Sequence, residues 1–301
     1  MGFLVPPVHI SDNLRLKPRE YLISLRGVEI GRWQTEGPQL LAVSGDPKRR
    51  PLAGKEAREP AFGVPAVWIA PALEEQAIAA GYSVVDAVTV IATHLGELIR
   101  RHSGSLLGRA ETKRLMDSLN ESHPKLIEEL VPKLLSLGEV GKVLEQLLRE
   151  RVSIRDLGTI LEALLEAAAT NKSLVALVET ARQALGRRLV QPLLDSDGLL
   201  PVLLLDPLLE EEILATLAPE TSQRLLHAAG APGIPLVRRL LDSLKQLIGG
   251  SSAMALPVLL CPSPARYHVK RWLDPVLPRM AVLAAGEISP EIRLRPVGTV
   301  R

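Results

Sequence analysis

The hydrophobic positions in the first third of the chain alternate with a period of two. In YLISLRGVEIGRW, every second residue from Tyr21 is apolar and shares one face of a predicted strand. The alternation changes at Gly27, which indicates a bulge or a tight turn. Two short apolar runs, at 39–43 and 66–70, predict two further strands. Residues 44–64 combine glycine, proline and charge, which is typical of a loop.

The middle of the chain has apolar residues at spacings of three and four, the pattern of amphipathic helices. In SIRDLGTILEALLE, which begins at Ser153, a stripe of leucine and isoleucine follows Ser153 and Asp156. These two residues resemble a capping box with Asp in place of the usual Glu or Gln. Ser122 is predicted to cap another helix, with Pro124 at its start. Helices are therefore predicted at 71–81, 86–99, 109–120, 123–131, 139–150 and 153–166, and from Asn171 or Ser173 to 185.

The last third returns to mixed structure. Four apolar runs predict buried strands, at 200–206, 255–261, 280–285 and 291–298. Helical patterns lie between them, at 207–217, 220–228, 234–248 and 263–275. The fold class is therefore α+β, with several small α/β subdomains flanking a central run of short amphipathic helices.

Composition and charge limit the classes of function. A chain of 301 residues is long enough for two to four compact units, and 47% hydrophobic residues indicate a folded protein. The 36 basic and 34 acidic residues leave a net charge of +2, which is too small to recruit nucleic acid by charge alone. The single cysteine, Cys261, excludes an internal disulfide and fits a reducing compartment.

Membrane and targeting signals are weak in the sequence. The most apolar stretch, residues 198–210, is interrupted by Asp206 and two prolines. The first ten residues, MGFLVPPVHI, are too short and too rich in proline for a signal peptide. We therefore expect the chain as given to be soluble.

Catalytic and metal-binding motifs are not found in the sequence. GEVGKV, at 138–143, lacks the spacing of a phosphate-binding loop, and GGSSAM, at 249–254, lacks that of a nucleophile elbow. The six histidines form no metal motif with the lone cysteine, and His94 fits a buried structural role. We therefore expect no enzyme activity, cofactor or metal. Grooves between the short helices instead suit a partner helix or an extended peptide.

Several blocks of sequence, taken together, resemble the FHIPEP family. This family comprises the export-gate proteins of the flagellum and of the related virulence type III secretion systems. The blocks are GFLVPPVHISDNLRLKPREYLISLRGVEIGRW, EPAFGVPAVWI, GYSVVDAVTVIATHLGELIRRH, LLGRAETKRLMD, HPKLIEELVP, VSIRDLGTILEAL and RPVGTV. They occur in order along essentially the whole chain, and the flagellar branch fits better than the injectisome branch.

The resemblance implies the cytoplasmic portion of a membrane protein, at the cytoplasmic face of the bacterial inner membrane. A membrane domain would precede residues 1–19, which would link the two. The implied subdomains are 20–82 with 132–151, the inserted helices 83–131, then 152–217 and 218–301. The resemblance also implies a protein without enzyme activity that forms a nine-membered ring at full length, and a monomer stays open as the state of this piece in isolation. Its partners would be export chaperones with their cargo, components of the export ATPase complex and other export-gate membrane proteins.

The resemblance also implies two contact surfaces. In the family, chaperones bind an apolar dimple between the first two subdomains. The corresponding residues here are Leu106, Leu107, Gly108 and Gly138. An acidic residue expected near position 104 is missing, a polar contact falls on Gly138, and core packing is an equal alternative for Leu107. The linker residues expected to pack on a neighbouring copy are Phe3, Leu4, Val8 and Ile10.

Two other functions stay open at the level of sequence. One is an export-gate subunit of a virulence injectisome, and the other is an unrelated soluble adaptor with a helical peptide groove. The gene distinguishes the adaptor from the export gate, because an upstream reading frame with many membrane spans supports only the gate. An enzyme of unknown chemistry rests on no motif.

Overall fold

The computed structural model describes residues 1–44, 52–217, 233–248 and 256–301. Its Cα positions form two compact units. One holds Phe3–Leu106 with Met1, and the other holds Leu107–Arg301 with Gly2. Both units contain helices and strands, so the predicted α+β class is confirmed. The finer division into a linker and four subdomains stays a prediction.

The first unit contains a hairpin and a four-stranded antiparallel sheet. The hairpin pairs β1 (Glu20–Leu25) with β2 (Val28–Gln34) around a turn at Arg26 and Gly27. Both residues have positive φ angles, and a bulge lies between Ile23 and Ser24. The sheet has the order β4-β5-β3-β6, formed by β3 (Leu40–Val43), β4 (Lys55–Arg58), β5 (Pro65–Ile69) and β6 (Ser83–Val85).

Helices cover both faces of this sheet. A 3-10 helix (Pro71–Leu73) leads into α1 (Glu74–Ala79), and β6 is followed by α2 (Ala87–Arg101) and α3 (Ser103–Leu106). Neighbouring residues of β3 belong to different apolar clusters, because side chains alternate across a strand. Leu41 packs with Val90 of α2, whereas Ala42 packs with Ala77 of α1.

The second unit begins with a run of helices. They are α4 (Arg109–Asn120), α5 (Pro124–Leu130), α6 (Leu137–Arg149), α7 (Leu157–Ala168), α8 (Leu174–Ala184) and α9 (Gly186–Val190), followed by a 3-10 helix (Gln191–Leu193). Polar side chains fix several of their starts. Ser136 and Glu139 form a reciprocal capping box at α6, Asp156 caps α7 and Ser173 caps α8.

A parallel sheet completes the second unit. Its order is β10-β7-β8-β9, formed by β7 (Leu200–Leu205), β8 (Val258–Cys261), β9 (Val282–Ala284) and β10 (Leu294–Val300). Its helices are α10 (Pro207–Leu217), α11 (Gly233–Ile248) and α12 (Ser263–Leu273). One face carries Leu203 and Leu259 with residues of all three helices, and the other carries Val202 and Val258 with Val190 of α9. Helices thus cover a sheet that is apolar on both faces, as parallel sheets require.

Several boundaries predicted from the sequence were wrong. The segment 44–64 contains β4, an edge strand whose sequence, Lys-Glu-Ala-Arg, has no apolar alternation. Strand β6 precedes the helical segment and was not predicted. Ser122 does not cap α5: its hydroxyl donates to the Leu119 carbonyl, and His123 is the N-cap residue without a side-chain cap. The predicted helix at 220–228 lies outside the described residues.

The start of α7 also differs from the prediction. The helix begins at Leu157, and Asp156 is its N-cap residue rather than the second member of a box with Ser153. The Asp156 carboxylate accepts hydrogen bonds from the backbone and hydroxyl of Thr159 and pairs with Arg188 at 3.1 Å. Ser153 accepts a bond from the Arg155 backbone instead. Asp156 is therefore a cap, but its partners are Thr159 of α7 and Arg188 of α9 rather than Ser153.

Candidate functional site

The N-terminus of α4 holds two of the predicted chaperone-binding residues. Gly108 is the N-cap residue in extended conformation, and its N–H donates to Oε2 of Glu111 at 3.1 Å. A Cβ at Gly108 would lie 2.7 Å from this carboxylate oxygen, so glycine leaves room for the Glu111 side chain to return. Leu107, directly before it, is 7% exposed. Its side chain is therefore packed inside the protein, as the core-packing alternative expects.

The N-terminus of α6 holds the third residue, Gly138, and it is open to solvent. Gly138 is exposed, and the nearest atom to a Cβ placed there would be Oγ of Ser136 at 3.9 Å. The Ser136 N–H and hydroxyl both donate to the Glu139 carboxylate at 2.7 Å, and these bonds lower the pKa of Glu139. Gly138 therefore lies at a capped helix end where the backbone is open to solvent.

Helices α4 and α6 lie side by side in the second unit. A Cβ at Gly141 of α6 would meet the Oγ1 atom of Thr112 at 3.2 Å. Thr112 is buried, and its hydroxyl donates to the Gly108 carbonyl at 2.9 Å. The structure thus joins the helix that begins after Gly108 to the helix that carries Gly138.

Leu106 belongs to the first unit and ends the short helix α3. Its side chain is half-buried. The position at which the family resemblance expects an acidic residue is Gly104, which is buried here. The carbonyl of Ser105 accepts a hydrogen bond from the Arg26 guanidinium at 2.9 Å, which joins α3 to the turn of the β1–β2 hairpin.

The N-terminal segment carries the predicted linker residues, and most of them are exposed. Residues 1–19 form no helix or strand. Phe3 is half-buried, whereas Leu4 is 82% exposed, Val8 57% and Ile10 89%. Leu14 was not predicted from the sequence and is fully exposed. A run of large apolar side chains facing water is a mark of an interaction surface.

An aromatic residue that sequence reasoning missed lies at the turn between β4 and β5. Phe62 is 44% exposed, and the chain has only two phenylalanines. The buried carboxylate of Glu59 accepts bonds from the backbone N–H groups of Ala61 and Phe62, at 2.9 and 2.7 Å. The turn is thus held from inside while its aromatic ring faces outward. The sequence signal for this turn was the block EPAFGVPAVWI, in which an acidic residue comes shortly before a glycine and Phe62 lies between them.

His94 is buried and has a hydrogen-bond partner inside the protein. It is 5% exposed, and its Nδ1 atom shares a hydrogen bond of 2.8 Å with the Tyr21 hydroxyl. Burial lowers the pKa of His94, so the ring is neutral near pH 7. Among the described residues, no group of three His, Cys, Asp or Glu side chains is placed to hold a metal ion. No described helix is both long and apolar enough to cross a bilayer.

Comparisons of the sequence with known proteins agree on one family. The model of the FHIPEP family matches residues 1–293. The flagellar biosynthesis protein FlhA of Yersinia enterocolitica is 39% identical over 302 residues, which cover 100% of this chain and 42% of that protein. FlhA of Bacillus subtilis is 34% identical over 300 residues, which cover 100% of this chain and 44% of that protein. The chain thus spans less than half the length of these curated relatives.

Solved structures agree with the fold. The Chlamydia pneumoniae CdsV protein has a TM-score of 0.86 and 27% identity over 100% of this chain and 86% of that chain. CdsV in a complex with CdsO gives a TM-score of 0.85 with 27% identity, covering 98% of this chain and 85% of that chain. The nonameric EscV cytosolic domain has a TM-score of 0.68 over 91% of this chain and 80% of that chain, and its 24% identity supports the fold alone.

Proposed function

The chain belongs to the FHIPEP family, and on that premise we propose that it is the cytoplasmic docking platform of a flagellar type III export gate. In this role it binds export chaperones with their cargo and passes the cargo to a membrane pore, and it catalyses no reaction. The observation that carries the proposal is the family match over residues 1–293. The flagellar branch is favoured because the curated relatives at 34% and 39% identity are flagellar proteins.

The place of action follows from the same premise. The curated relatives are more than twice as long as this chain, which covers 42% to 44% of their length. We propose that the chain is tethered to the cytoplasmic face of the inner membrane through residues 1–19. Its further partners are components of the export ATPase complex and other membrane proteins of the gate. A solved complex of CdsV with CdsO supports partner binding by this kind of domain.

The chaperone is proposed to bind beside the N-termini of α4 and α6, where Leu106, Leu107, Gly108 and Gly138 were predicted to form the dimple. Gly138 offers the sharpest probe of this surface, because it is exposed and a side chain there would meet nothing closer than 3.9 Å. Leu107 is a poor probe. Replacing this buried leucine with Asp would place a charge in the protein interior and is expected to lower the melting temperature sharply.

The test compares Gly138→Arg with Gly138→Ala in binding to the organism's own filament-protein chaperone, with and without cargo. We expect Gly138→Arg to weaken binding by about tenfold or more, because bulk and charge are added at the centre of the contact. Gly138→Ala adds only a methyl group and is expected to bind like the unmodified chain. A thermal scan should show no fall in melting temperature for either variant.

Two outcomes would count against the docking proposal. Equal binding by Gly138→Arg would remove Gly138 from the contact surface. An unmodified chain that binds no flagellar chaperone would contradict chaperone docking itself, although membership of the family would stand. The injectisome alternative predicts loss of protein secretion, rather than loss of motility, when the gene is deleted.

A further inference from the structure

The two outer strands of the parallel sheet in the second unit have different surroundings. All three residues of β9 are buried, whereas five of the seven residues of β10 are exposed. Among the described residues, no strand pairs with β10 on the side away from β7. An edge strand of this kind presents unpaired N–H and C=O groups to which the backbone of another chain can bond.

The register of β10 against β7 identifies which backbone groups face outward. Val300 pairs with Leu205, and the Val300 carbonyl accepts a hydrogen bond from the Asp206 N–H at 2.9 Å. In a parallel pair, residues that bond to the neighbouring strand alternate with residues whose N–H and C=O point away from it. Thr299, directly before Val300, therefore directs both of its backbone groups to the free edge.

The first half of β10 is protected against pairing, and the second half is not. The register shifts between Pro296 and Gly298, and Pro296 has no N–H to donate. Prolines and bulges are devices by which proteins prevent unwanted pairing at sheet edges. The residues from Gly298 to Arg301 include neither, so this end of the free edge is open to a short partner strand.

Helix α11 forms a wall beside the open end of β10. The Arg301 N–H donates to Oγ of Ser243 at 3.1 Å. A Cβ at Gly298 would lie 3.1 Å from Cδ2 of Leu247. Between the helix and the end of the strand lies a groove of about 690 Å³, which is in the size range of ligand-binding clefts. We call it the edge groove.

The lining of the edge groove is positively charged. It includes Arg238, Arg239 and Arg301 but a single acidic residue, Asp242. Leu247 adds an apolar side chain that is 38% exposed. A partner that complements this lining therefore carries carboxylates, with some apolar surface between them.

The three arginines are free to take a carboxylate from a partner. Arg239 pairs with Glu212, but both side chains are about half exposed. Arg301 lies 3.9 Å from Asp206, and its side chain is 82% exposed. Arg238 is exposed and forms no ion pair with a residue that the structure describes. Exposed ion pairs contribute little, and a guanidinium has five N–H donors to share.

We propose that the edge groove binds an extended, acidic peptide segment of another protein, which adds to β10 as a further strand of the sheet. The segment exchanges hydrogen bonds with the N–H and C=O of Thr299, and its carboxylates bind Arg238, Arg239 and Arg301. In this mode of recognition, main-chain bonds supply affinity and side chains supply selectivity. The proposal does not rest on the proposed export function.

Binding of synthetic peptides to the unmodified chain tests the proposal. The probe is a fluorescent peptide, Thr-Glu-Val-Glu-Thr-Glu-Val, with both ends blocked. One control peptide has Lys in place of every Glu, and another is N-methylated throughout so that it cannot donate to β10. We expect the acidic peptide to bind at least about tenfold more tightly than either control. Its affinity should fall as salt is added.

The variant Thr299→Pro tests the backbone contact. Proline is tolerated on an edge strand where the N–H faces solvent, so this change should remove the outward donor and leave the bonds to β7 in place. Binding of the acidic peptide should weaken by about three- to tenfold. The matched control Thr299→Val keeps the N–H and should bind like the unmodified chain. In the unmodified chain, the peptide should slow hydrogen exchange of the Thr299 amide by about tenfold or more.

The variant Arg238→Gln tests the charge contact. Its affinity for the acidic peptide should fall by about threefold or more, because a charge-assisted hydrogen bond is lost. The matched control is Lys245→Gln, which removes the same charge from an exposed residue of α11 outside the edge groove. It should bind within about twofold of the unmodified chain.

Several results would overturn the proposal. No binding of the acidic peptide at millimolar concentration would contradict the site itself. Equal binding by the lysine peptide would contradict the charge match, and equal binding by the N-methylated peptide would contradict strand addition. If a thermal scan shows that Thr299→Pro does not fold, the N-methylated peptide and the Thr299 amide decide the same point. Self-association that weakens in Arg238→Gln while peptide binding is unchanged would make a second copy of the chain the occupant.

Discussion

Glu150 and Glu179 both accept hydrogen bonds from the guanidinium of Arg266, yet their pKa values shift in opposite directions. Burial raises the pKa of Glu179, and its bonds to Arg266 only partly offset this effect. Burial also acts on Glu150, but Arg266 and Arg182 together outweigh it and lower the pKa of that carboxyl. The difference arises because Glu150 accepts from two arginines and Glu179 from one. Of these two carboxylates, Glu179 is therefore the one whose burial is less fully offset by arginine.

These directions predict opposite pH dependences for Glu150→Gln and Glu179→Gln. A lowered pKa stabilises the fold above the usual value of 4.5, and that stability is lost as the pH falls through the folded pKa. Glu150→Gln should therefore cost roughly 3–5 kcal/mol near neutral pH, with a smaller cost in acid. A raised pKa stabilises the fold below 4.5, and that stability is lost as the pH rises through the folded pKa. The stability of Glu179→Gln relative to that of the unmodified chain should therefore increase as the pH rises.

Urea unfolding of both variants and the unmodified chain between pH 4 and pH 8 measures this difference. Parallel curves for the two variants would contradict the opposite pKa shifts of Glu150 and Glu179. At the same scale, sequence reasoning named Gly138 and the apolar linker residues as contact residues. Gly138, Leu4, Val8 and Ile10 are exposed and Phe3 is half-buried, and their role in contacts stays a prediction. It left the packing of Leu107 undecided, because burial of a single leucine depends on neighbours that are distant in sequence. For the same reason, it gave no sign that Glu150 and Glu179 contact Arg182 and Arg266.

At the scale of elements, helices with strong apolar periodicity were predicted well, and α4 matches its predicted bounds of 109–120. The failures occur where another element imposes the structure. Strand β4 has a polar sequence and is a strand because β5 pairs with it. Helix α7 begins at Leu157, later than predicted, because contacts with Thr159 and Arg188 hold Asp156 as its N-cap residue.

The contact between α9 and the 3-10 helix after β9 predicts a position that tolerates no side chain. A Cβ at Gly186 would lie 2.3 Å from the carbonyl oxygen of Glu287, and backbone cannot move aside as a side chain can. Gly186→Ala should therefore destabilise the second unit by about 1–3 kcal/mol. The matched control is Gly158→Ala in α7, where a Cβ meets nothing within 4 Å.

This control should stabilise the chain by about 0.5–1 kcal/mol, because alanine is the better helix former. Free energies of unfolding in urea give both values. A neutral Gly186→Ala would show that α9 shifts to admit the methyl group, and the close backbone approach would then carry no constraint.

At the scale of the whole molecule, the exposed linker predicts assembly through the first residues. Leu4 and Ile10 are 82% and 89% exposed, and each would contribute about 1.5–3 kcal/mol if fully buried against a neighbouring copy. We therefore expect the double substitution Leu4→Ser with Ile10→Ser to weaken self-association. The dissociation constant of the assembly should rise by at least about tenfold. Deletion of residues 1–12 should abolish association.

The matched control replaces two exposed polar residues of the same segment, His9→Ser with Asp12→Ser, and should associate like the unmodified chain. Sedimentation velocity over a range of concentrations measures all four proteins. Unchanged association after the deletion would place the contact elsewhere, and Phe62 at the β4–β5 turn would then be the next residue to test.

The strand order β10-β7-β8-β9 also has a consequence for synthesis of the protein. Strand β7 is made about 90 residues before β10, which covers one of its two edges. Until the ribosome has released Leu294–Val300, the run Leu-Pro-Val-Leu-Leu-Leu of β7 presents an apolar edge that other chains can pair with. A truncated chain that ends before Leu294 is therefore expected to aggregate, because β10 is the strand that covers this edge of β7.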